Sequence, residues 1–79
     1  MTTTPTIGRV VLVPMDPATN NGADVAPAII TRVWTETMVN VRVLGDRNDV
    51  EWRTSLRLHD ERPADVEGTH HAWWPPRVG

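Results

Sequence analysis

The chain has 79 residues, a formal charge of −2 at neutral pH and no cysteine. A domain this small sits near the limit at which one core sustains itself, and neither disulfides nor a thiolate metal site can reinforce it. The weak negative charge argues against a partner held by phosphate neutralisation along a long nucleic acid, and no run of about twenty apolar residues is present to span a membrane.

Met1 to Pro5 is a polar, threonine-rich arm without a pattern, expected to be flexible or to order on a neighbouring subunit. Ile7 to Val13 reads as a first strand, apolar on both faces apart from Gly8 and Arg9, and Pro14 ends it because it has no amide proton. Met15 to Ala26 is a long connection with turn signals at Asp16-Pro17 and Asn21-Gly22. A loop of that length is either a binding element or a tolerated surface excursion.

Pro27 to Leu44 is the stretch around which the rest is arranged. Two alternating runs flank Glu36 and Thr37. In the first, Ile29, Thr31 and Val33 face one way and Arg32, Trp34 and Glu36 the other. In the second, Val39, Val41 and Val43 are apolar, with Asn40 and Arg42 between them. Period-two alternation marks half-buried strands, since successive side chains leave opposite faces of the pleat. A hairpin that sets Val33 beside Val41 has an aliphatic face and a reverse carrying Trp34, Asn40 and Arg42. The segment GDRND that follows is a polar turn without the glycine and glutamate spacing of a calcium loop.

Val50 to Leu58 alternates again, with Val50, Trp52, Leu56 and Leu58 on one side, which assigns Trp52 to the core. His59 to Glu67 is a charged loop broken by Pro63. From residue 60 onward the chain is expected to be an extended, tryptophan- and proline-rich tail. Pro75 and Pro76 cannot extend a central ladder, and Trp73 and Trp74 either cover an open barrel end or dock on another subunit. Trp73, Trp74, Pro75 and Arg77 are the interface candidates. The whole is one all-β domain of four to five strands, a small antiparallel SH3-like barrel or strongly bent sheet. Closing the sheet and associating as a homo-oligomer are the two routes to stability open to it.

IGRVV (Ile7 to Val11), PAIIT (Pro27 to Thr31), TSL (Thr54 to Leu56) and GTHHAWWPPR (Gly68 to Arg77) occur in the same order as related pieces of a known group. In them the chain resembles a family of short, mostly uncharacterised proteins of tailed bacteriophages. Those read roughly V-G-R-I-V, P-A-I-V-T, T-S-V and G-T-W-H-W-P. Here HHAWW replaces the shorter W-H-W. The resemblance implies phage origin, with the host cytoplasm or the virion as location, and carries no established activity. All eight basic residues are arginine, in keeping with a GC-rich genome.

Catalysis is not expected. Ser55 lies among arginines without an elbow sequence, and no glycine-rich phosphate loop is present. Asp60, Glu61, Asp65 and Glu67 sit in a soft loop, where no carboxylate pair can be argued. His70 and His71 point apart in an extended chain, and with His59 they give no diagnostic metal spacing, so neither metal nor cofactor is expected. The selective chemistry lies in Arg32, Trp34, Asn40 and Arg42. A guanidinium grips phosphate, an indole stacks on a base and an asparagine reads a base edge. The same groups also make subunit contacts. Two functions remain: an accessory protein that binds and sequesters a nucleotide-like host signal, or a virion component that decorates the capsid or cements the tail. Inhibition of a host protein is a third that shares the same features.

Overall fold

The computed structural model describes residues 3–64 and 68–76. Five strands follow one another around a closed barrel: β1 (Val10–Pro14), β2 (Val25–Thr35), β3 (Met38–Val43), β4 (Glu51–His59) and β5 (His71–Trp73). A single 3₁₀ turn, Pro17–Thr19, is the one helical piece among the described residues. None of the helical structure described is long and apolar enough to cross a membrane. The all-β, SH3-like barrel expected from the alternation is what forms. Its closure departs from a purely antiparallel sheet. β5 runs parallel to β4, and it meets β1 antiparallel through one pair, Leu12 with Trp73.

Small aliphatic residues, mostly β-branched valine, fill the interior. Val11, Val13, Ile30, Val39, Val41, Val43 and Leu56 are fully buried, with Ala26, Ala28 and Ala72 where the walls come close. With no Phe or Tyr in the chain, valine suits both the pleat and a narrow lumen. Trp74 belongs to this core and lies beneath Arg9, where β1 begins. The opposite end is plugged by Arg53, whose side chain is only 9% exposed. Its Nη1 donates to the Pro14 carbonyl at 2.8 Å, its Nη2 meets the Met15 sulfur at 3.2 Å, and its Nε pairs with Glu51.

Bulges decide which side chains face out. Along β2, Ala26, Ala28 and Ile30 point inward; Ile30 pairs with Val41, yet Arg32 pairs with Asn40, leaving Thr31 as an extra residue. That insertion reverses the alternation, so Arg32 faces out and Val33 packs on the core. A second irregularity lies between Val33 and Thr35. In β4, Arg53 pairs with Val41 and Leu56 with Val39, so Thr54 and Ser55 together oppose Asn40. Trp52 is thereby turned outward while Leu56 and Leu58 turn in.

These shifts correct several readings of the sequence. Val33 pairs with Val39, not Val41, and of Ile29, Thr31 and Val33, read as one face, only Val33 packs on the core: Ile29 lies outward beside Arg42 and Thr31 is exposed. Trp52, assigned to the core, is 55% exposed. The first strand begins at Val10; Ile7 and Gly8 form a turn in which Ile7 is 71% exposed.

The long connection after β1 is folded onto the barrel. Asn20, 1% exposed, donates through Nδ2 to the carbonyls of Ala23 and Val25, and its Oδ1 accepts from the Asp46 amide at 2.7 Å. One side chain thus ties this loop to the β3–β4 turn. Gly45 permits the approach, because a Cβ there would stand 3.0 Å from Asn20 Oδ1.

Candidate functional site

On the outer face of β2, β3 and β4 the register sets out two rows. Ile29, Arg42 and Trp52 lie side by side across the three strands, and Arg32, Asn40 and the Thr54–Ser55 bulge form the next row. The rows are two residues apart on β3, about 6.6–6.8 Å. All four ligand candidates, Arg32, Trp34, Asn40 and Arg42, fall on this face, and Trp52 joins them. Its place depends on a bulge that no residue type announces, since the TSL segment contains no glycine.

The five side chains differ in how they are held. Arg32 lies over Trp34, its guanidinium carbon 4.0 Å from the ring centroid, and Trp34 is 49% exposed. Trp34 Nε1 donates to Asn40 Oδ1 at 2.8 Å. The same oxygen accepts from Thr54 Oγ1 at 2.9 Å and from the Ser55 amide at 2.8 Å. Asn40 is only 6% exposed. Expected to read a base edge, it acts instead as a strut: its carbonyl substitutes for the backbone acceptor that the bulged strand lacks, and fixes the Trp34 indole.

Arg32 and Arg42 are exposed, and neither has a carboxylate partner among the described residues. Guanidinium groups stack on Trp34, Trp73 and Trp74, but on no face of Trp52 among the described residues. Trp52 thus offers an open indole beside the free charge of Arg42, a pairing suited to a planar ring that carries an anionic group.

The interface candidates are placed differently. Trp73 is 3% and Trp74 9% exposed, both packed against their own barrel. Arg62 lies 5.2 Å over Trp73 and Arg9 lies 5.1 Å over Trp74. Arg62 is also paired with Asp24 at 3.2 Å, which draws the loop after β4 across Trp73. Within this chain Trp74 joins the core at one barrel end, as one of the two expected roles requires, whereas Trp73 lies on the outer side of β5 beneath Arg62. Pro75 and Pro76 are exposed and border an open groove of about 1370 Å³ along β1, while Arg77 lies outside the described residues. Comparison of the chain with protein-family models, curated proteins and solved structures finds no match in any of the three.

Proposed function

We propose that the protein is a non-catalytic binding module that takes a nucleotide-like anion on the outer face of β2, β3 and β4. Trp52 stacks on the base, and Arg42 and Arg32 hold the phosphate. In the setting the phage resemblance implies, such a module is an accessory protein that sequesters a host nucleotide signal. The observation that carries this reading is Trp52, 55% exposed and cross-strand from Arg42 on the face where Asn40 ties Trp34 to the β4 bulge. Thermal unfolding with a panel of linear and cyclic nucleotides tests it. A ligand at a hundred times its dissociation constant stabilises the fold by about 2.7 kcal/mol. Trp52→Ala is expected to abolish the shift while the protein stays folded. A panel that leaves unfolding unchanged overturns the proposal.

The same face supports a second reading as a protein contact, because Trp34, Met38 and Trp52 expose 49%, 39% and 55% of their surfaces there. Indole and arginine are the side chains most often found to dominate such contacts. A virion component or a homo-oligomer would use the face in this way. Several copies per particle in the mass spectrum of purified virions would favour this role over sequestration.

A further inference from the structure

Two histidines meet away from that face, on the neighbouring parallel strands β4 and β5. Register places Arg57 opposite His71 and His59 opposite Trp73, so His59 and His71 are diagonal neighbours, both half-buried. His59 Nε2 stands 3.1 Å from His71 Nδ1, with ring centroids 5.3 Å apart. The two nitrogens face each other in a hydrogen bond, and whichever ring donates, the other must present a bare nitrogen. One proton added to the pair keeps the bond, as an imidazolium donating to an imidazole. A second leaves two donors head to head.

Few other contacts hold the strand that these rings join. β5 has three residues and meets β1 in a single pair, and the histidine bond is the one side-chain hydrogen bond that reaches it among the described residues. Backbone bonds to β4 supply the rest, as far as the Trp74 amide, which donates to the His59 carbonyl at 3.2 Å. Ala72 and Trp73 are buried, which keeps the strand closed at neutral pH. We propose that the pair is an acid-sensitive latch: its second proton breaks the His59–His71 bond and frees β5 from β4 and β1 ahead of the rest of the barrel.

The charged neighbours come from each adjoining element. Arg57 flanks His59 on β4 and stands opposite His71, while His70 precedes His71 and Arg9 of the chain before β1 lies over Trp74. From the β2–β3 turn comes Glu36, next to the Thr37 carbonyl that accepts from the Leu58 amide. The loop after β4 brings Asp60, Glu61 and Arg62, the last paired with Asp24. Their net effect opposes protonation: burial lowers the His59 pKa from 6.5, and His71 and Arg57 push it the same way. Opening takes up the proton that the closed pair resists, so it is favoured as pH falls below 6.5 and is unaffected well above it.

Native-state amide exchange at a series of low urea concentrations, between about pH 7.5 and 5.0, tests the latch. Ala72, Trp73 and Trp74 are expected to exchange through a local opening with little urea dependence, whereas Val41 follows global unfolding. The local opening constant is expected to rise about tenfold over that pH range, the worth of one hydrogen bond. His71→Asn supplies an amide that turns to accept from protonated His59 and is expected to abolish the rise, while His70→Asn keeps it. An opening constant that does not change with pH overturns the proposal. So does a rise that survives in His71→Asn or is lost in His70→Asn, or exchange of the three amides only together with Val41.

Discussion

One oxygen, Oδ1 of Asn40, accepts from the Trp34 indole, the Thr54 hydroxyl and the Ser55 amide. Replacing it by an apolar group of similar size leaves three donors without their acceptor. Each unmet donor costs about 1–3 kcal/mol when buried, and partial solvent access here reduces that. Asn40→Leu is expected to lower stability by about 2–3 kcal/mol in urea unfolding, near the cost of one fully buried donor, and to loosen Trp34. Ser55 makes the complementary case. Its φ is 59°, a left-handed conformation that side chains disfavour, in the middle of a strand. Valine has the higher strand propensity, yet Ser55→Val is expected to destabilise by about 1–2 kcal/mol, whereas Ser55→Gly is tolerated. Equilibrium unfolding of the two variants separates the bulge from a regular strand, where the order would be reversed.

At the level of the strands, the turn at Glu36-Thr37, the inward valines of β3 and the outward Arg32, Trp34 and Arg42 were legible as period-two alternation. Alternation carries no mark of an inserted residue, and each bulge reverses it. Ala26, Ala28 and Ile30 hold the inward side of β2 until Thr31 shifts the phase. Trp52 and Leu56, four apart and read as one face, lie on opposite faces across Thr54–Ser55. The hydrogen bond between His59 Nε2 and His71 Nδ1, at 3.1 Å, was hidden for a related reason, since the two rings meet only through the parallel pairing of β4 with β5. Burial holds the His59 pKa below its ordinary value of 6.5, and the nearby His71 and Arg57 push it the same way. The folded state therefore binds a proton there less readily than the unfolded chain. The His59 contribution is fully present above pH 6.5 and is lost as pH falls from there through the lower folded pKa. Stability measured from neutral to mildly acidic pH is expected to decline less steeply in His59→Asn than in the native protein.

For the molecule as a whole, the four tryptophans divide between holding the barrel together and facing solvent. Trp73 and Trp74 are buried under arginines; Trp34 and Trp52 are half-exposed on the outer sheet. Composition alone does not make this division, because all four have arginines close in the fold or sequence. Burial assigns the energies. A domain of this size has a total stability of about 4–12 kcal/mol, and truncating a buried tryptophan costs about 3–5 kcal/mol. Trp74 closes one end of a barrel whose β1–β5 seam is a single residue pair, so no neighbouring strand compensates for its loss. Trp74→Ala is accordingly expected to leave the protein largely unfolded or close to it at 37 °C, as read by circular dichroism, while Trp74→Phe, which refills part of the space, retains the fold. Trp52→Ala removes an indole that is 55% exposed and is expected to change stability by less than about 1 kcal/mol. If Trp52→Ala unfolds the chain as Trp74→Ala does, Trp52 is not the free platform on which nucleotide binding depends. If it stays folded and loses the ligand-induced shift, stability and recognition reside in different indoles of the same barrel.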